Sequence, residues 1–149
     1  PKKFSPPGST GDIMDRTAEA QKIFSADRFA TNAAGIRILK AEDNYALCSM
    51  PLSENHFNAN GFVMGGAIFT LADFAFAVAT NTDPDAMTVS LTSQITYLRP
   101  ACGRELTAET AVLHMGHRSC VLEITICNDE GALVAKASIT GMRTAKPKL

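Results

Sequence analysis

The sequence predicts an α+β fold in which one long buried helix lies on an antiparallel sheet of five or six strands. Three observations carry this. Residues 66–80 are apolar on every helical face, with Ile68, Leu71, Phe74, Phe76 and Val78 set among alanines, and such a helix has to be buried on nearly all sides. From residue 87 onward the apolar positions recur every second residue. Leu106, Ala108, Thr110 and Val112 stand against Glu105, Thr107 and Glu109, and Leu122, Ile124 and Ile126 against Glu123 and Thr125, the period of strands with one buried face. The connections after the first of these late strands are too short for crossover helices, so the four strands are expected to form an antiparallel meander.

The elements follow in order. Residues 1–11 hold Lys2, Lys3, Pro6, Pro7 and Gly8 but no apolar stretch, and read as a flexible leader rather than a secretory signal. A single domain over 12–149 is expected to follow. Over 12–29, Ile13, Ala20, Ile23 and Phe24 alternate with Asp15, Arg16, Glu19 and Lys22 at helical spacing, which predicts an amphipathic helix ending before 32–35. Strands are expected at 35–42 and 45–51, joined by a hairpin turn at Glu42-Asp43-Asn44. Residues 53–61 carry Asn55, His56, Asn58 and Asn60 and read as an irregular polar loop. The apolar helix stops at 81–85, where Pro84 lies. The late strands are placed at 87–98, 105–115, 119–128 and 132–143, with turns at 100–103, 116–118 and 128–131.

Composition excludes several classes of function. The 149 residues are 46% hydrophobic and 19% charged, which suits one globular domain with one substantial core. A formal net charge of -1 with both signs scattered lacks the basic footprint of a nucleic-acid binder or a polybasic membrane anchor. The stretch 62–80 superficially resembles a membrane span, but Asp73 lies inside it and Gly65-Gly66 interrupt its start. Cys48, Cys102, Cys120 and Cys127 show neither a C-x-x-C pair nor framework spacing, so they are read as free thiols of a cytoplasmic protein. Partners are therefore expected to be small molecules or protein chains, with no nucleic acid, no membrane and no cofactor.

The chemically conspicuous residue is Asp73. Its helical neighbours Phe69, Ala72, Phe74, Phe76 and Ala77 are apolar, and no cation stands three or four residues away. A buried unpaired carboxylate is costly, so it implies either a task or a partner elsewhere in the fold. The bland alternative is a carboxylate satisfied by backbone amides. Gly65-Gly66 open the same helix, where the first N–H groups have no intrahelical partner and the helix dipole favours negative charge. Such a terminus can stabilise a developing oxyanion, although two glycines can also serve only close packing. His56 in the polar loop is a further candidate, against a loop-stabilising hydrogen bond. His114 and His117 flank a turn and are not assigned to a metal. No G-x-S-x-G elbow occurs.

Taken together, the runs His56-Phe57-Asn58-Ala59-Asn60-Gly61-Phe62-Val63-Met64-Gly65-Gly66, Leu71-Ala72-Asp73, Ser90 and Ile95-Thr96-Tyr97-Leu98-Arg99-Pro100 resemble the hot-dog-fold acyl-CoA thioesterases of the phenylacetic-acid-degradation type. The resemblance runs from about residue 56 to 143, and more loosely from 35. It implies a helix wrapped by a curved antiparallel sheet, homodimers joined sheet edge to sheet edge, homotetramers as dimers of dimers, and sites at the dimer interface. It places the catalytic carboxylate at Asp73, the carbonyl-polarising amide at Gly65, the loop asparagine at Asn58 and a water-assisting hydroxyl at Ser90. Asp73 would then be a general base for water, or a nucleophile forming a mixed anhydride. Met64 stands where many relatives have histidine, which removes a side-chain donor and argues against dehydratase chemistry.

The expected substrate is a small aryl or fatty acyl-CoA thioester, bound by His56, Met64, Gly66, Arg99, Arg118 and Ser119. Arg118-Ser119 is the first choice for the CoA phosphates, with Arg104 and Lys136 as further candidates. Independently of the resemblance, Ser90 is expected on a polar strand face with Thr88 and Thr92. The opposing class of function is a non-catalytic acyl-CoA sensor, for which the residues before the first strand are too few to form a DNA-binding output domain. The outer face of the late strands carries Val121, Val134 and Met142 among Thr125, Ser138 and Thr140, a half-apolar surface that suggests a subunit interface.

Overall fold

Alternation along the late strands produces one apolar face, and that face wraps the helix. The computed structural model describes residues 13–146, so the expected leader lies outside the described residues. A short helix α1 (Thr17–Phe24) and a single π-helical turn (Phe29–Ala33) precede the hairpin β1 (Arg37–Glu42) and β2 (Tyr45–Pro51). A 3-10 turn (Glu54–His56) leads into α2 (Gly65–Thr80), followed by β3 (Ala86–Tyr97), β4 (Glu105–Met115), β5 (Ser119–Asn128) and β6 (Leu133–Ala145). All strands join one antiparallel sheet in the order β1-β2-β4-β5-β6-β3. A helix wrapped by a six-stranded sheet is the architecture that the resemblance implies.

The core follows the two periods. Leu122, Ile124 and Ile126 of β5, Leu106 and Ala108 of β4 and Ile139 of β6 are fully buried and pack with Leu71, Ala75, Phe76 and Val78 of α2 in one cluster. Each such side chain contributes roughly 1.5–3 kcal/mol by leaving water. Gly141 marks the closest approach of helix and sheet, since a Cβ there would fall 2.7 Å from Phe76 Cζ and 2.8 Å from Thr88 Cγ2. The far end of α2 is tied to β3. Asn81 accepts the Thr88 N–H at 2.8 Å and donates to the carbonyls of Ala77 and Thr88, while the Thr88 hydroxyl donates to the Thr80 carbonyl. These bonds satisfy carbonyls that a helix terminus otherwise leaves orphaned.

Four expectations need correction. The late strands do not form a four-strand meander: β4-β5-β6 do, but β3 pairs with β6 and β4 with β2. Period two specifies a strand's faces, not its neighbour. The connecting segment 98–104 is no hairpin but runs across the sheet end, with Leu98 N–H bonded to the Val134 carbonyl and the Arg104 carbonyl accepting Leu52 N–H. The helix expected over 12–29 is only Thr17–Phe24. It ends where the Ser25 hydroxyl bonds the Lys22 carbonyl, a local bond that competes with helix continuation. Ile13 and Ile23 are exposed, whereas Ala20 and Phe24 are buried.

The other two corrections come from β-bulges. Val134 is fully buried rather than on the outer face, because β6 carries one more residue than β5 between the pairs Ile126↔Ala135 and Cys127↔Leu133. A similar register shift between Ser90 and Thr92 turns Thr92 to the opposite face from Ser90. Thr88 is itself buried, so these three residues do not form a common polar face. No helix among the described residues is long and apolar enough to cross a membrane.

Candidate active site

The first turn of α2 is open. Its N-cap is Met64, whose side chain makes no capping bond, while the Met64 carbonyl accepts the N–H groups of Ala67 and Ile68. The amides of Gly65 and Gly66 come before any intrahelical acceptor. Gly65 lines a cavity of about 450 Å³ with Phe62, Ile68, Tyr97 and Arg99. Gly66 borders a second, of about 460 Å³, with Phe29, His56, Met64 and Thr70. The Tyr97 hydroxyl donates to the Gly65 carbonyl at 2.8 Å.

Further along, α2 is not buried all round. Gly66, Thr70, Asp73 and Ala77 form a stripe left partly open, at spacings that share one helical face. Asp73 lies in this stripe, half-buried, lining a cavity of about 340 Å³ with Asp27, Arg28, Phe29 and Thr70. Among the described residues its carboxylate has no hydrogen-bond or ion-pair partner. Burial pushes its carboxyl above the usual carboxylate range, and the charge of Asp27 pushes in the same direction. Asp73 sits about 12 Å along the helix axis from Gly65, at about 1.5 Å per residue. One carbonyl cannot hydrogen-bond the Gly65 amide and meet the Asp73 of the same chain.

The remaining expected residues separate into groups. His56 is buried, with Nδ1 accepting the Ser53 N–H at 2.9 Å and Nε2 donating to the Ala34 carbonyl at 2.7 Å. With both ring nitrogens committed to backbone, His56 has no polar atom left for a substrate and braces the loop against the π-helical turn instead. Asn58 is exposed, and its side-chain oxygen accepts the N–H groups of Asn60 and Phe62, so it shapes the loop ahead of α2. Met64 and Gly66 share the cavity of about 460 Å³. Ser90 is exposed on β3 opposite Gly141 and does not line the cavity of about 340 Å³ that Asp73 lines.

The basic residues also divide. Arg104 pairs with Asp129 at 3.6 Å and Lys136 pairs with Glu123. Arg99 and Arg118 have no acidic partner among the described residues. Arg99 lines the same cavity as Gly65, whereas Arg118-Ser119 sit at the far end of the sheet, where the Arg118 carbonyl accepts Arg143 N–H. Sequence reasoning gave Tyr97 no role, and it placed Asp27, Arg28 and Phe29 inside a helix. The signals were an aromatic hydroxyl ending a Thr/Ser-rich strand and a short polar pair interrupting the apolar spacing.

Among the described residues, α2 thus carries open terminal amides and an unpartnered carboxylate, with loop residues bracing its start. The thioesterase superfamily profile matches residues 60–135. The acyl-coenzyme A thioesterase PaaI of Escherichia coli is 36% identical over 78% of this chain and 82% of its own length. The solved structure of the E. coli PaaI protein, from the phenylacetic acid degradation operon, superposes with a TM-score of 0.79 at 28% identity, covering 87% of this chain and 94% of that one. A hypothetical thioesterase protein of Streptococcus pneumoniae, solved with coenzyme A, gives 0.75 at 26% identity, covering 84% and 99%. The superfamily profile, the relatives and the superposed structures place the chain in the thioesterase superfamily, with the hot-dog architecture.

Proposed function

We propose that this protein hydrolyses small aryl or fatty acyl thioesters of coenzyme A, at a site shared between two copies of the chain. The observation that carries the reading is Asp73, a half-buried carboxylate on the open stripe of α2 without a partner among the described residues. The acyl-CoA thioesterases among its relatives support the substrate class. The thioester carbonyl lies against the first-turn amides at Gly65, which stabilise its oxyanion. Asp73 of the other copy takes a proton from water as the water oxygen bonds to the carbonyl carbon. The tetrahedral intermediate collapses, the carbon–sulfur bond breaks, and the thiolate leaves and takes up the proton held by Asp73, giving free CoA thiol and a carboxylic acid that ionises by releasing its own proton to solvent.

The separation of Gly65 and Asp73 along one helix supports a dimeric site, because two copies can bring the two groups together where one cannot. Strand β3 supports the same reading, as a long edge strand that exposes Val89 and Leu91. A homotetramer follows if two such dimers join through their outer sheet faces. Arg99 and Arg118-Ser119 are the positions for the CoA phosphates, and Ser90 orients the water. Four free cysteines accord with a cytoplasmic setting.

Release of free thiol from a panel of aryl and fatty acyl-CoA thioesters tests the activity, with sedimentation of the active species testing the shared site. Turnover by a dimer or larger species is expected. No turnover of any thioester overturns the reaction, and an active species at 15.9 kDa overturns the shared site.

A further inference from the structure

Tyr97 is the last residue of β3, on the edge opposite Ala135. Its ring lies against the start of α2: a Cβ added to Gly65 would fall 3.1 Å from Tyr97 Cζ and 3.2 Å from Tyr97 Oη. Its hydroxyl donates to the Gly65 carbonyl at 2.8 Å. That carbonyl belongs to the same peptide group as the Gly66 N–H. A hydrogen bond on the oxygen draws electron density from the nitrogen and makes the N–H a stronger donor, since bonds in series polarise one another. The Gly66 N–H is itself a first-turn amide, directed out along the helix axis with that of Gly65.

We infer that Tyr97 is a positioning residue for thioester hydrolysis, holding and polarising the Gly65-Gly66 peptide so that the Gly66 N–H joins the Gly65 N–H in binding the oxyanion. The inference rests on the proposed thioesterase reaction. It accounts for three features at once: a tyrosine rather than a phenylalanine at the strand end, a residue without side chain at 65, and a helix start with no side-chain donor at Met64. An ordinary phenol, with a pKa of about 10, already keeps its proton at neutral pH, and partial desolvation pushes the Tyr97 phenol further up, so the hydroxyl is a donor there.

The test is Tyr97→Phe, which keeps the ring against Gly65 and removes only the hydroxyl. A lost oxyanion donor typically lowers kcat by about 100-fold or more, and a group acting through the peptide should lower it by about tenfold. KM should change by less than about twofold, because the effect is confined to the transition state. The melting temperature should not move with kcat. In parallel, the Gly66 amide resonance of ¹⁵N-labelled protein should shift upfield in the variant by more than those of Ala67 and Ile68. An unchanged Gly66 resonance overturns the inference whether or not the enzyme turns over. A kcat within about twofold of the parent, or a change confined to KM, overturns its catalytic part. Failure of the parent chain to hydrolyse any thioester would remove the proposed reaction, while the Gly66 resonance would still report on Tyr97.

Discussion

His56 and Asp73 lie on either side of the start of α2, and both looked in the sequence like polar residues in search of a task. The structure treats them oppositely. His56 is buried with each ring nitrogen bonded to a backbone group, whereas Asp73 is half-buried with neither oxygen bonded to any described residue. Folds rarely leave a burial cost uncompensated without reason. Hydrogen-bond accounting therefore separates a polar group committed to the fold from one the fold leaves available, where residue type and spacing do not.

The largest effect that could sharpen this contrast is on turnover. Asp73→Asn should keep the fold and lower kcat/KM for thioester hydrolysis by at least about 100-fold, the scale of a lost acid-base group. Near-parental turnover would make Asp73 as structural as His56. His56→Ala should do the reverse, with kcat of the folded variant close to the parent. It strands the Ser53 N–H and the Ala34 carbonyl, so urea unfolding should show a loss of about 2–3 kcal/mol. A stable but inactive His56→Ala would return the imidazole to the site.

The smallest effect is the pH dependence of stability. The folded-state pKa of Asp73 is raised above its unfolded value, so the ionised side chain disfavours the folded state at neutral pH. Asp73→Asn should be slightly more stable than the parent at pH 7, by thermal melting. The difference should shrink as pH falls through the raised pKa toward 3.8, because the folded parent takes up its proton first. A variant less stable than the parent at pH 7 would mean that Asp73 has a structural partner after all.

Much of this fold was legible. The limits of β2, β4 and β5 match the strands expected from alternation, and α2 begins one residue earlier than expected. These segments are read well because local pattern and tertiary burial coincide. Sheet order was not legible, because the same alternation suits β3 beside β4 or beside β6, and the choice is made by the path of 98–104 over the sheet end. The bulged Val134 was missed since one extra residue in a ladder leaves no mark on composition. At the site, Asp73 and the glycine pair were visible as violations of local rules. Tyr97 was not, since its partner is a backbone carbonyl thirty-two residues away in the chain.

The ties between α2 and β3 have a mechanical consequence. The helix is pinned to the same strand at both ends, by Asn81 and Thr88 at one and by Tyr97 at the other. Strand and helix therefore behave as a braced beam that cannot slide or tilt unless one of the end fastenings opens. The spacing between Gly65 and Asp73 within one chain is set when the chain folds. Amide protons in the middle of α2 should accordingly exchange only through global unfolding, with local opening confined to the segments outside the brace.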